Sequence, residues 1–178
     1  SGCGQLPYGG EIALLPGRIE VEDYDEGGPL IAYRDSDASN NGGAYRPDEG
    51  VDLEATSDVG GGFNLGWVNP GEWVEYTIVA TTTGIYDLRA RVASLSEGGT
   101  FRLEVDGVDR TGVVDVPVTG GWQTWVDVDF QADLESGAHV LRFVPLSGEF
   151  NLNWIEGLSV VATSAPAGAS RAAIERLD

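Results

Sequence analysis

The chain has 178 residues, the length of one domain, and its 29 acidic against 10 basic side chains give a formal net charge of −19. A field this negative repels phosphate backbones and anionic lipid, so we expect neither nucleic acid nor a membrane as a partner. Hydrophobic residues make up 42% of the sequence, which excludes a disordered acidic tail.

The N-terminal 15 residues are rich in glycine and weakly patterned, so we predict an N-terminal tail or linker over 1–15. The single cysteine, Cys3, has no partner for an internal disulfide. Ser-Gly-Cys also resembles the end of a bacterial lipoprotein signal, so both an inert thiol and a lipidated cysteine stay open, with the inert thiol favoured.

From residue 18 onward, glycine and proline separate short segments in which apolar and polar residues alternate. Alternation is clean over 72–78, 101–105 and 126–130, and it is typical of antiparallel strands with one buried face. The predicted strands are 18–23, 44–46, 51–56, 63–68, 72–79, 84–94, 100–105, 112–117, 124–131, 139–145 and 150–160. This pattern predicts an all-β fold over 16–161, a β-sandwich jelly roll of two antiparallel sheets.

The C-terminal segment 162–178 begins with a run of Ala, Ser, Pro and Gly. Its last eight residues are too few for a stable isolated helix. We therefore predict a C-terminal linker or tail, which is typical of a module joined to another domain.

Five tryptophans occur, and two of them stand at the ends of predicted strands. Trp67 is near the end of the predicted strand 63–68, just before Asn-Pro-Gly at 69–71, and Trp122 follows two glycines at a loop-to-strand junction. An indole at a loop mouth presents a flat face on which the C–H face of a sugar ring can stack, while carboxylates and amides bind the hydroxyls. Burial in the core is the commoner fate of tryptophan, so position alone leaves both interpretations open.

Two acidic segments are candidates for metal binding. Glu20 and Glu22 are two residues apart on one predicted strand, so both carboxylates face the same side and repel each other. Either they bind Ca²⁺, or they form an acidic strand face exposed to solvent. The polar segment 35–42 resembles a Ca²⁺ loop only superficially, because the glycine is misplaced and the closing Glu is missing. We interpret it as a polar loop.

Catalytic patterns are weak. The one histidine, His139, begins a predicted strand after Ser-Gly-Ala, which favours a turn residue over a general base. A pair of carboxylates for glycoside hydrolysis stays open, since no pair stands out among 29 acids.

Several motifs in order give the chain a familiar pattern. They include Pro-Gly-Arg-Ile-Glu-Val-Glu at 16–22, Gly-Gly-Gly-Phe-Asn-Leu-Gly-Trp at 60–67, Gly-Glu-Trp-Val-Glu-Tyr at 71–76, Gly-Gly-Trp-Gln-Thr-Trp at 120–125 and Phe-Asn-Leu-Asn-Trp-Ile at 150–155. The chain resembles a family six carbohydrate-binding module, a β-jelly-roll module appended to bacterial polysaccharide hydrolases. The stretch 29–50 is longer than in the shortest members, and either a wall beside the main site or surface decoration would explain it.

The resemblance implies a main carbohydrate site in the loops at one end of the sandwich. There Trp67 and Trp122 would sandwich a sugar ring, the Asn151 amide would bond a ring hydroxyl, and Glu54 would lie at the rim. A second site on the concave sheet face would use Trp73 and Glu104, although burial of Trp73 is an alternative. The family's structural Ca²⁺ would be held by Glu20, Glu22, the Phe63 backbone and Asn153.

We therefore expect a secreted, monomeric and noncatalytic module that binds a neutral polysaccharide or oligosaccharide and targets a covalently linked glycoside hydrolase to it. The expected ligand is β-1,3-glucan or agarose, followed by xylan and β-1,4-glucan. The alternatives are a small glycoside hydrolase using Glu54 or another acid, and a calcium-dependent adhesion module without a sugar role.

Overall fold

The computed structural model describes residues 4–163, so Cys3 and residues 164–178 of the predicted C-terminal linker lie outside the described part. Eleven strands occur in these residues: β1 Ala13–Leu15, β2 Gly17–Glu20, β3 Tyr33–Arg34, β4 Leu53–Ala55, β5 Phe63–Leu65, β6 Trp73–Ala80, β7 Gly84–Val105, β8 Val108–Asp109, β9 Val114–Val116, β10 Val126–Leu134 and β11 Gly137–Ala162. The helical elements are two 3₁₀ turns, Tyr8–Gly10 and Val21–Asp23. Between residues 4 and 163, no helix has the length and apolar character that crossing a membrane requires.

The two long strands β7 and β11 run antiparallel along almost their whole lengths and contribute to two layers. The first half of β7 and the second half of β11 join β10, β2, β5 and β4 in one layer. The other halves join β6, β1, β3, β8 and β9 in the second layer. The predicted β-sandwich jelly roll is confirmed.

Glycines allow β7 and β11 to bend where they pass from one layer to the other. Gly98 and Gly148 have left-handed φ angles of +70° and +79°, which residues with a Cβ rarely adopt. A Cβ on Gly99 would lie 2.4 Å from the Ser147 carbonyl oxygen. Register shifts on both sides of this point mark β-bulges, which bend strands.

Aromatic side chains fill the core at the bend. Phe101 from the second layer packs edge-on against Phe130 from the first, with ring centroids 5.6 Å apart. Phe143 and Phe150 complete this cluster. The bend is therefore rigid, and the residues that follow it in β11 have a fixed position.

The N-terminal prediction differs from the structure. Ala13–Leu15 pairs in parallel with β6 and Leu15 is completely buried, so residues 4–15 pack on the sandwich rather than forming a tail. Parallel pairing with a distant strand is a long-range contact that a three-residue segment does not reveal by its own alternation.

Strand boundaries also differ in places. The predicted strand 18–23 ends at Glu20, because Val21–Asp23 forms a 3₁₀ turn. The predicted strand 44–46 is not a strand in the structure, whereas the short strand Tyr33–Arg34 was not predicted. The segments 84–94 and 100–105 belong to one bent strand, as do 139–145 and 150–160, since the glycines at the bend interrupt the alternation but not the pairing.

Candidate functional site

A cleft of about 420 Å³ opens beside the bend of β11. It is lined by nine residues from five chain segments: Asp37, Asn41, Glu54, Trp67, Asn69, Trp122, Glu149, Phe150 and Asn151. We call it the main cleft. The structure thus brings together Trp67, Trp122, Asn151 and Glu54, the four residues predicted for the main carbohydrate site.

Trp67 stands just beyond the end of β5 with its indole half exposed, at 50%. Its φ angle of +49° places it in the left-handed region, which turns the side chain out of the strand direction. Asn69 Nδ2 donates to the Trp67 carbonyl oxygen at 2.9 Å, and the buried Glu72 carboxylate accepts from the Asn69 backbone N–H at 2.7 Å. These bonds hold the loop that carries Trp67.

Trp122 is 37% exposed in the loop before β10, and a buried serine fixes this loop. The Ser94 carbonyl oxygen accepts hydrogen bonds from the backbone N–H groups of Thr119 and Gly120 at 2.9 and 3.0 Å. The Thr119 hydroxyl accepts from the Ser94 N–H at 2.9 Å, and Ser94 Oγ donates to the Glu149 carbonyl at 2.7 Å. Ser94 lies in β7 and Glu149 lies at the bend of β11, so these hydrogen bonds connect the loop that carries Trp122 to both strands.

Glu54 lies at the centre of an amide network. Its Oε1 accepts from Asn64 Nδ2 at 3.2 Å, Gln123 Nε2 at 2.9 Å and Asn151 Nδ2 at 3.0 Å. Gln123 Nε2 also donates to Asn64 Oδ1 at 3.0 Å. Three donors on one oxygen hold the carboxylate in place and leave Oε2 for a further donor, such as a hydroxyl group of a ligand.

Asn151 has a more specific role than the sequence suggested. Its Nδ2 donates both to Glu54 Oε1 and to the Trp122 carbonyl oxygen, at 3.0 and 2.8 Å. Both amide hydrogens are therefore used within the protein, and Oδ1 is the atom that can receive a ligand hydroxyl. Asn151 links the carboxylate of the cleft to the loop that carries one of its indoles.

The long stretch 29–50 supplies a wall of the main cleft through Asp37 and Asn41. Asn41 Nδ2 donates to Asp37 at 3.1 Å and to Asp52 at 3.0 Å, so the wall is tied to the strand region behind it. Burial, reinforced by Glu72 and Asp52, raises the pKa of the neighbouring Asp35 carboxyl to about 7. Of the two interpretations of this stretch, the wall is the one that the structure supports.

A family assignment follows from the sequence match. Residues 41–156 match the family model for carbohydrate binding module (family 6). The chain belongs to carbohydrate-binding module family 6.

Solved structures of family 6 modules agree with this assignment, and part of a curated relative is similar in sequence. The module is 38% identical over 115 residues to the clotting factor G alpha subunit of Tachypleus tridentatus, a match that covers 64% of this chain and 17% of that protein. The matched part of this chain spans less than a fifth of the length of the curated relatives it matches. A β-1,3-glucan-binding family 6 module from Bacillus halodurans superposes with a TM-score of 0.64 at 26% identity, covering 84% of this chain and all of that one. The C-terminal family 6 module of LamC, a marine laminarinase from Zobellia galactanivorans, gives a TM-score of 0.62 at 31% identity over 78% of this chain and 95% of that one.

The residues predicted for a second site lie around an arginine. The Arg142 guanidinium carbon is 4.1 Å from the centroid of the half-buried Trp73 ring, and an Arg142 nitrogen is 3.9 Å from Glu104 Oε2. Arg142 also donates to Glu75 at 2.7 Å. A sugar stacked on this face of Trp73 would have to displace the guanidinium, and the second site stays a prediction.

Of the four residues predicted for calcium, Glu22 and Phe63 are in direct contact, and Asn153 donates to Asp58 at 3.0 Å. Glu20 and Glu22 do not share one strand, because the 3₁₀ turn begins at Val21. Glu22 Oε1 accepts from the Phe63 N–H at 3.0 Å, and Glu20 pairs with Trp154, the neighbour of Asn153. Within residues 4–163, no three or more His, Cys, Asp or Glu side chains are grouped as a metal site. The predicted set instead combines two carboxylates with a carbonyl and an amide.

Burial at this position has left one carboxylate oxygen unsatisfied. Glu22 is 6% exposed, and its Oε2 is buried without a hydrogen-bond partner among the described residues. Burial, with the nearby Glu20 and Asp23 charges, raises the pKa of Glu22 to about 7. A buried oxygen without a partner costs free energy, and oxygen ligands are those that Ca²⁺ takes, so these residues fit a calcium ion.

The sequence missed the residues that support the cleft. Gln123, Asn64, Ser94 and Glu72 each make a hydrogen bond to a segment distant in the chain. Gln123 stands beside Trp122 and Asn64 precedes Trp67 by three residues, so proximity to the tryptophans was the available signal. His139 lies in β11, where it pairs with Ile78, and not in a turn; both its ring nitrogens are engaged, by Asp106 at 2.7 Å and the Glu135 carbonyl at 2.8 Å.

Glu72→Gln is expected to weaken saccharide binding several-fold through Trp67. Glu72 accepts from Ser36 and Asn69 with both oxygens, and the amide nitrogen of glutamine would face one of these donors. Isothermal titration with the best polysaccharide measures the effect. The exposed Asp115→Asn variant makes the same change in charge and should bind as the unsubstituted module does. Equal affinities for the two variants would show that Glu72 does not position Trp67.

Proposed function

We propose that this family 6 module binds a neutral polysaccharide through the main cleft, with Trp67 and Trp122 stacking on a sugar ring and Glu54 and Asn151 binding its hydroxyls. The observation that supports it best is the pairing of two exposed indoles with a carboxylate held by three amides in one cleft. Apolar ring faces and fixed polar groups are the two features that sugar recognition needs.

The charge of the main cleft favours a neutral ligand. Three carboxylates line it, those of Asp37, Glu54 and Glu149, and none of its lining residues is basic. The net charge of −19 adds to this negative field. Uronate or sulfated chains would therefore be repelled, whereas hydroxyl groups can donate to these oxygens.

Among neutral polysaccharides we favour β-1,3-glucan. The Bacillus halodurans module is described as β-1,3-glucan binding, and the Zobellia galactanivorans module comes from a laminarinase. Agarose is the second candidate, with xylan and β-1,4-glucan behind. The wall formed by Asp37 and Asn41 narrows the cleft and favours the end of a chain over its interior.

The proposed role is noncatalytic. The module would act in a secreted protein, as a monomer, and hold a covalently linked glycoside hydrolase at its substrate. Residues 162–178 have the composition of a linker, and the matching relatives are several times longer than this chain. We also propose that Glu20, Glu22, the Phe63 carbonyl and Asn153 hold one structural Ca²⁺, which supplies the positive charge that the two carboxylates lack.

A titration panel tests the proposal. The chain is mixed in calcium-containing buffer with laminarin, agarose, xylan and cellulose, and binding is measured by affinity gel and calorimetry. We expect the highest affinity for laminarin and no release of reducing ends on long incubation. Release of reducing ends would support the hydrolase alternative, and absence of binding to all four would favour the adhesion alternative.

Asn151→Ala is expected to weaken binding about five- to a hundredfold, because it removes a hydroxyl acceptor and releases the Trp122 loop from Glu54. Asn151→Asp is expected to be at least as damaging, since a second carboxylate would meet Glu54 Oε1. Calorimetry on folded variants measures both. Unchanged affinity and an unchanged ranking of sugars would remove Asn151 from the site.

A further inference from the structure

A second groove, of about 400 Å³, shares no lining residue with the main cleft. Tyr8 and Glu26 come from the N-terminal part, and Tyr45 to Glu49 come from the long stretch 29–50. We call it the tyrosine groove. We propose that the tyrosine groove is a second saccharide-binding site that takes a neutral pyranose residue; the inference rests on the proposed function of the module.

The two tyrosines form a fixed aromatic surface. Their ring centroids are 5.7 Å apart, and the Tyr45 ring also packs on Phe63 with centroids 4.8 Å apart. The Tyr45 hydroxyl donates to Asp23 Oδ1 at 2.6 Å, while the side chain keeps 39% of its surface exposed. The ring is thus held in place and partly exposed, so a ligand would bind without first ordering it.

The tyrosine groove and the main cleft share one backbone feature, an aromatic residue with a left-handed φ angle. Among the described residues, four positions other than glycine have a left-handed φ, and two of these are aromatic. They are Trp67 in the main cleft, at +49°, and Tyr45 in the tyrosine groove, at +60°. Such a conformation costs free energy, of order 1–3 kcal/mol, and persists where the surrounding structure demands it. In both places its result is an aromatic side chain directed into a cleft.

Arg46 makes the groove selective for an uncharged ligand. Its guanidinium carbon lies 4.8 Å from the Tyr8 ring centroid and 3.5 Å from that of Tyr24. The guanidinium donates to the carbonyl oxygens of Tyr24 and Asp25 and pairs with Glu49 at 3.0 Å. This cation is buried and already paired, so it is not available to an anionic ligand.

The rim of the groove supplies acceptors for hydroxyl groups. Glu26 and Asp48 line it, and Glu26 Oε1 has only one donor among the described residues, the Gly9 N–H at 3.3 Å. Carboxylates around an aromatic surface repeat the chemistry of the main cleft.

The two sites are close along the chain. The segment 42–44 joins Asn41, in the main cleft, to Tyr45, in the tyrosine groove. Bivalent binding of one polysaccharide to both sites would raise the apparent affinity.

Nuclear magnetic resonance titration of the full chain in calcium-containing buffer tests the inference, with laminarihexaose and agarohexaose as probes. The Trp67 and Trp122 indole signals report the main cleft, and the backbone signals of Tyr8, Tyr45 and Asp48 report the tyrosine groove. We expect both sets to shift. In a Trp67→Ala/Trp122→Ala variant, we expect the tyrosine-groove signals still to shift and the main-cleft loops not to respond.

Point variants identify the aromatic contribution. Tyr8→Ala should weaken binding at the tyrosine groove at least about tenfold, whereas Tyr45→Phe, which keeps the ring, should change it less than about threefold. Shifts confined to the indoles would overturn the second site and leave the proposed function intact. Shifts confined to the tyrosine groove would overturn the main-cleft assignment instead, and absence of shifts with both probes would overturn both. If Tyr8→Ala does not fold, the titration of the double tryptophan variant decides the matter.

Discussion

Replacing Trp67 or Trp122 with alanine is expected to weaken polysaccharide binding at the main cleft by about 1–3 kcal/mol, roughly 5- to 150-fold in Kd. Trp67 and Trp122 both line the main cleft and are 50% and 37% exposed, so the loss is one of ligand contact rather than of core packing. Calorimetry with laminarin measures the change, and circular dichroism shows whether the sandwich stays folded.

Phenylalanine variants provide the matched control. Trp67→Phe and Trp122→Phe keep a flat apolar ring at the same position and should lose much less affinity than the alanine variants. The Trp122 carbonyl oxygen, which accepts from Asn151, is a backbone atom and is retained in every variant. Unchanged affinity in both folded alanine variants would show that the main cleft is not where the ligand binds.

The sequence revealed the fold where alternation is local. The segments 72–78, 101–105 and 126–130 alternate cleanly, and 73–78, 101–105 and 126–130 lie in strands with one face more buried than the other. It did not reveal β1, because Ala13–Leu15 is defined by its pairing with β6 and not by a pattern of its own. It divided β7 and β11 in two, since the Gly98–Gly148 bend reads as a turn although pairing continues through it.

The main cleft was predictable in its exposed residues and less so in its supports. Trp67 and Trp122 stand at loop mouths, a position that left burial in the core open, and the family resemblance is what assigned them to the site. Gln123 bonds to Glu54, 69 residues away along the chain, and Ser94 bonds to the Glu149 carbonyl, 55 residues away at the bend. For Asn151, the resemblance indicated a ligand contact, but only the structure shows that its Nδ2 is already bonded twice within the protein.

Calcium removal is expected to destabilise the module without abolishing sugar binding. Glu22 Oε2 is buried and has no partner among the described residues, and Glu20 lies near enough to raise its pKa, so a divalent cation would relieve both costs. An ion that binds only the folded state adds about 2.7 kcal/mol at a hundredfold excess over its Kd. For a domain of this size that is a shift of about 5–10 °C in Tm.

The measurement is a thermal melt of the full chain in calcium and in EDTA, beside a titration with laminarin at 25 °C. We expect EDTA to lower the Tm while the Kd for laminarin changes little, because Glu20 ends β2, Glu22 lies in the following 3₁₀ turn, and neither lines the main cleft. Glu22→Gln should melt at one temperature in both buffers, whereas Asp115→Asn should keep the full difference. A Tm that does not respond to EDTA in the unsubstituted chain would indicate a solvated acidic surface at Glu20 and Glu22. Loss of laminarin binding in EDTA with the fold intact would instead place the ion in the sugar site.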